Sequence, residues 1–159
     1  MTIQAGDHLP EVTLQQIRDG VENIDTRTLF DNRRVVIFAV PGAFTPTCSE
    51  KHLPGFVQHF AEFRDKGIDV ACVSVNDPFV MQAWAESQHV PDGMMVLADG
   101  NGDFTRALGL EMDASAYGMG MRSKRYALYA EDGVVKQVLV EAPGEFRVSS
   151  AEHVLGQLP

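Results

Sequence analysis

The chain has 159 residues, 45% apolar and 22% charged, which is enough for one core of ordinary size and too few for two. Thirteen basic residues against 22 acidic ones give a formal charge of −9, and no Lys/Arg cluster offers a grip on phosphate backbones. Two cysteines and five histidines exclude a disulfide scaffold or a Cys-rich zinc site, no apolar run approaches the ~18 residues of a membrane span, and Met1–Asp7 has neither the basic segment nor the apolar core of a secretory signal. One soluble, cytoplasmic domain over residues 1–159 is expected. The first thirty residues read as an extension with short β pieces around Val12, Thr13 and Leu14. Residues 34–40 form an apolar, β-branched run that stops at Pro41-Gly42, the pattern of a strand buried on both faces. Leu53, Phe56, Val57, Phe60 and Phe63 follow helical spacing, and Arg64, Lys66 and Gly67 mark the end of that helix. Residues 69–75 repeat the buried-strand pattern, so this segment is a β-α-β unit with parallel strands and a right-handed crossover.

Asn76-Asp77-Pro78 offers a cap with Pro at the first helical position, and Val80 to Glu86 carries the helix. Met95 to Ala98 is a short strand, Asp99 to Gly102 a turn, and Phe104 to Leu108 a short helix. Residues 113–121 read as an irregular loop. Tyr126–Ala130 and Val134–Val140 flank Glu131-Asp132-Gly133, a hairpin signal. Ser149 followed by Glu152 resembles a capping box for a closing helix. The order predicts an α/β fold with one mixed central sheet and helices on both faces.

Pro41-Gly42-Ala43-Phe44-Thr45-Pro46-Thr47-Cys48 lies at the C-terminal end of a buried strand and opens a helix, where ligands bind in open α/β sheets. Cys48 falls in the first helical turn, where free N–H groups and the helix dipole favour thiolate over thiol. Cysteines in such places have pKa values of roughly 3.5–7.5. A reactive, partly exposed thiolate is therefore expected, against the commoner fate of a small buried hydrophobe. A dithiol oxidoreductase would carry a second Cys three residues earlier, but Thr45 stands there. Its hydroxyl both donates and accepts, so Thr-x-x-Cys suits a small oxygen-bearing substrate rather than a reversible disulfide.

The segment Val40 to Phe56 resembles the peroxidatic-cysteine motif of the peroxiredoxins, and its longer wording is similar to the type II, peroxiredoxin-five-like members of the redoxin superfamily. Val73 to Val80, Leu97 to Gly100 and Arg122 to Tyr126 resemble the same subfamily, in the same order. The resemblance implies a thioredoxin-like fold and reduction of hydrogen peroxide and alkyl hydroperoxides. In it Cys48 attacks the peroxide and becomes a sulfenic acid. Thr45 hydrogen-bonds thiolate and peroxide, and Pro41 shields the sulfur. Arg125, directly before Tyr126, matches the family's active-site arginine, with Arg122 as a supporting residue. A fixed guanidinium stabilises charge moving from sulfur to the leaving oxygen. The resemblance also suggests that Phe44 and Phe79 line the peroxide pocket and part of a homodimer interface. No metal, haem or flavin is implied, since thiols supply the electrons.

Relatives with a resolving Cys near the C-terminus differ from this chain, which has Ser149 and Ser150 there. Cys72 lies mid-strand with Val70 and Ser74 on its face, and is expected ~10 Å or more from Cys48, beyond disulfide reach. Regeneration by glutathione with glutaredoxin is expected, with thioredoxin, or Cys72 as a resolving cysteine, as the alternative. His52, four residues after Cys48, raises a Cys–His hydrolase reading, but no oxyanion hole is evident and Pro54 disturbs the spacing. A surface or packing role is expected for it. His8, His59, His89 and His153 have no metal-ligand context. Glu50 with Thr47 suggests a capping box, Lys51 faces solvent, and Met112, Met119 and Met121 suit an adaptable apolar wall. A redox sensor that consumes one equivalent of peroxide is the main rival reading. A holdase-type chaperone has no support in the residues.

Overall fold

A computed structural model describes residues 2–158. The buried-strand signals hold: β3 spans Arg34–Val40, β4 Asp69–Ser74 and β5 Met95–Ala98, and they pair in parallel. The hairpin forms as β8 (Tyr126–Glu131) and β9 (Val134–Val140), antiparallel to each other, with β8 antiparallel to β3. The N-terminal extension is more regular than expected. It forms a hairpin of β1 (Thr13–Ile17) and β2 (Val21–Asp25), followed by α1 (Thr26–Phe30), and β1 adds to the free edge of β5. The seven-stranded sheet has the order β2-β1-β5-β4-β3-β8-β9.

The alternation of side chains along buried strands makes two cores. Val36, Phe38 and Val40 of β3, with Val70 and Cys72 of β4, pack on one face against Leu53, Phe56, Phe63, Trp84 and Val154. These come from α2 (Leu53–Gln58), α3 (Phe60–Asp65), α4 (Pro78–Ser87) and α6 (Ala151–Gln157). Val35, Ile37, Ala71 and Val73 face the other way, onto Leu29, Phe30, Phe104 and Leu108 of α1 and α5 (Asp103–Leu108). The helices thus cover both faces, as the pattern predicted.

Several local expectations shift. The helix after the site is not continuous: it breaks at His59, between α2 and α3. The loop at 113–121 carries structure, since β6 (Glu111–Asp113) pairs with β7 (Met121–Ser123) as a small ribbon outside the main sheet. The last helix is capped by Ser150, whose Oγ accepts from the His153 N–H, one residue later than the Ser149 expected. Ser149 is turned inward to Glu141 instead. Asp77 caps α4 by accepting from Val80 N–H, with Pro78 opening the helix, as read. Among the described residues no helix is long and apolar enough to cross a membrane.

Candidate active site

β3 delivers the chain to Pro41, and a tight loop turns it into the helix that carries Cys48. Two hydrogen bonds set that loop. Ala43 N–H donates to Asn76 Oδ1 at 3.0 Å, and Thr45 Oγ1 donates to Gly42 O at 2.6 Å. Gly42 lets the loop pack closely: a Cβ there would stand 2.9 Å from Met119 Cε and 3.2 Å from Thr45 Cγ2, so both side chains would have to shift. The backbone is helical from Pro46, and residues Cys48–His52 form a π-turn in which Leu53 N–H donates to Cys48 O. One extra residue wound into a helix in this way is frequent at functional sites. Thr47 makes no side-chain cap, so the Thr47/Glu50 capping box is not formed.

The π-turn brings Cys48 under Arg125, which enters from the start of β8. Arg125 Nη2 donates to Cys48 Sγ at 3.1 Å, and Nη1 lies 2.9 Å from His52 Nδ1. A guanidinium has only donors, so Nδ1 must accept. The proton of the neutral ring is then on Nε2, which donates to Ser149 O at 3.0 Å. Burial, and next the charge of Arg125, push the His52 pKa from 6.5 down to about 3. The ring is wedged between Phe38, Phe56 and Phe146, with centroids 5.0, 5.7 and 5.1 Å away. His52 is therefore neither a surface residue nor a base for Cys48. It is a fixed acceptor for the arginine. The signal for its burial was in the sequence: it precedes Phe56 by four on the apolar helix face.

Three expectations need correction. Cys48 is not partly exposed: its exposure is 0%, because the π-turn, the site loop and Arg125 close over it. Thr45 spends its hydroxyl proton on Gly42 O rather than on the sulfur, since that carbonyl lies at the bend directly before it. Phe44 and Phe79 do not line the cleft beside the site; they project outward, 56% and 65% exposed, Phe44 with a positive φ of 66°. Arg122 donates from Nε to Met119 O at 2.9 Å and from Nη1 to Val75 O at 3.1 Å, tying the loop before β7 to the chain that leaves β4.

Above the buried sulfur lies a cleft of about 790 Å³. Pro41, Thr45 and Arg125 line it, with Met112, Met119 and Phe146 as apolar wall and Lys51 as a charged lining residue. Met121 packs by Gly102 instead. Cys72 shares the core layer of Cys48, is fully buried, and both cysteines are free. Burial pushes the Cys72 thiol well up, and the neighbouring Cys48 adds to the shift. No cluster of three metal-binding side chains exists among the described residues.

A family profile described as Redoxin matches residues 4–155. Peroxiredoxin-2E-2, chloroplastic, of Oryza sativa subsp. japonica is 52% identical over 164 residues, covering 99% of this chain and 73% of the relative. Peroxiredoxin-2B of Arabidopsis thaliana is 43% identical over 159 residues, covering 98% of each. The crystal structure of reduced Prx3 in complex with H2O2 from Vibrio vulnificus superposes with a TM-score of 0.94 at 48% identity, covering 98% of this chain and 99% of that one. With a mixed sheet flanked on both faces in the thioredoxin manner and near-complete coverage by these relatives, the chain belongs to the redoxin family and, within it, to the peroxiredoxins, the thiol-dependent peroxidases.

Proposed function

We propose that Cys48 is the peroxidatic residue and that its thiolate reduces hydrogen peroxide and alkyl hydroperoxides. The sulfur attacks the terminal peroxide oxygen, the O–O bond breaks, and water or an alcohol leaves after taking up a proton. Cys48 becomes a sulfenic acid, two electrons poorer. The observation that carries this reading is the 3.1 Å contact from Arg125 Nη2 to Cys48 Sγ. A donor fixed at the sulfur favours the anion and stays in place as charge passes to the leaving oxygen. Thr45 and Pro41 line the cleft with Arg125; Thr45 holds the peroxide and Pro41 screens the sulfur from water. Since the sulfur is covered at rest, the π-turn must open by about the size of a peroxide for the attack.

An external thiol then attacks the sulfenic sulfur, expels water and leaves a mixed disulfide, which a second thiol reduces. Glutathione with glutaredoxin is the donor we favour, with thioredoxin second. The burial and raised thiol of Cys72 support a cycle that does not use it. Electrons come from thiols, and no metal or organic cofactor enters the reading. The exposed Phe44 and Phe79 support a homodimer face. A chain with two cysteines and no disulfide framework suits a reducing compartment such as the cytoplasm.

The test is the mass of Cys48 after one equivalent of peroxide, with and without glutathione. A gain of one oxygen, exchanged for a glutathione adduct, is expected. An unmodified Cys48, or a Cys48–Cys72 disulfide, overturns the cycle.

A further inference from the structure

The loop that joins β9 to α6 is gathered onto one carboxylate. Glu141, 7% exposed, accepts from Arg147 N–H at 2.9 and 2.8 Å through its two oxygens. Its Oε2 also accepts from Val148 N–H at 2.9 Å, Ser149 N–H at 2.9 Å and Ser149 Oγ–H at 2.7 Å. No Lys, Arg or His stands within ion-pair distance of it among the described residues, so its charge rests on these donors. Burial alone would push this carboxyl up, but the bonds from Ser149, Arg147 and Val148 outweigh it and hold the group below the usual carboxylate range.

The same residue meets the site from two sides. Its N–H donates to Arg125 O at 2.9 Å, which fixes the backbone from which the guanidinium extends. Its side chain fixes Ser149, whose carbonyl takes the His52 Nε2–H. With that proton on Nε2, Nδ1 presents a lone pair to Arg125 Nη1, and the other arm of the fork falls on Cys48 Sγ. We propose that Glu141 is a positioning residue: through Ser149 and His52 it aims the Arg125 guanidinium at Cys48. The inference rests on the reading of Cys48 and Arg125 given above.

Glutamine at this position keeps the size but turns one end into a donor, facing backbone N–H groups that are themselves donors. The Ser149 carbonyl then loses its fixed place, and with it His52 and the fork. In Glu141→Gln, kcat/KM for hydrogen peroxide falls about 10–100-fold, the range for a misplaced catalytic group. Iodoacetamide labelling of Cys48 slows, because the guanidinium no longer faces the sulfur. The nitrogen-15 spectrum of His52 changes from one Nε2–H tautomer to a mixture. A role limited to tying down the loop would lower the melting temperature and leave labelling and tautomer as in the wild type, and that result overturns the proposal.

The labelling and spectral readouts use no peroxide. If the wild type fails to turn over peroxide, the function reading fails while the positioning role is still judged on these two. Should Glu141→Gln not fold, Ser149→Ala removes only the Oγ–H donor. A labelling rate about 2–5-fold lower at neutral pH is then expected, the worth of one hydrogen bond. An unchanged rate with an unchanged His52 tautomer overturns the proposal there too.

Discussion

Cys48 and Cys72 lie in one layer of the core, both with no exposed surface, and they differ in what faces the sulfur. Cys72 is set mid-strand, with Phe38 and Val96 as its register partners in β3 and β5, and burial pushes its thiol well up. Cys48 sits on a π-turn with a guanidinium nitrogen at 3.1 Å. On the function proposed above, burial by itself does not separate an inert cysteine from a reactive one, and the fixed cationic donor at the sulfur is the difference between them.

The sharpest way to break this comparison is to remove the donor. Arg125→Met leaves Cys48 as buried as Cys72 and without its partner, and kcat/KM for peroxide falls about 10²–10³-fold in steady-state assays, the usual cost of one oxyanion donor. Activity within a few-fold of the wild type would mean that the arginine does not distinguish the two sulfurs.

A second, smaller effect comes from the acid side. His52 stays neutral in the fold down to about pH 3, while in the unfolded chain it takes a proton near its ordinary 6.5. Between those values the unfolded state binds more protons, so stability falls as pH drops from 6.5 toward 3, by at most about 1.4 kcal/mol per unit. Denaturant unfolding of wild type and His52→Gln at successive pH values reads this directly. The slope shrinks in the variant; an equal slope in both would show that the acid sensitivity lies elsewhere.

The smallest effect concerns the other cysteine. Cys72→Ala costs about 1 kcal/mol of stability for the sulfur lost from a packed layer, and peroxide turnover with an external thiol is unchanged. Loss of turnover in a folded Cys72→Ala protein would make the second sulfur a participant and erase the contrast.

Local patterns carried much of the fold. β3, β4 and β5 are legible because strands buried on both faces read as unbroken β-branched runs, and α4 because Asp77-Pro78 pairs a capping side chain with a proline at the first helical position. The 121–123 strand was missed since its three residues gain order only by pairing with 111–113. At the candidate site, Thr45 and Cys48 were singled out by their spacing and Arg125 by the resemblance that puts an arginine directly before Tyr126, and the structure brings Arg125 to Cys48. His52 was underrated because its partners are remote: Ser149 is 97 residues from it, and Arg125 is 73. Glu141 went unnoticed because its side-chain partners are mostly backbone N–H groups of a loop, which no residue pattern marks. The helix phase shared by His52 and Phe56 was the one local hint.

The sequence by itself determined the central buried strands, the closing hairpin and the start of α4, which cysteine opens a helix, and to which family the pattern corresponds. These follow from interactions between residues within a few positions of one another. Only the tertiary structure decided that Cys48 is covered, that Thr45 bonds its own loop, and that a carboxylate, a serine carbonyl and a neutral imidazole stand behind the arginine. The Thr45 bond spans only three residues but depends on how the loop bends, and the contacts among Cys48, His52, Arg125 and Ser149 join segments 73 to 97 residues apart that meet only after packing.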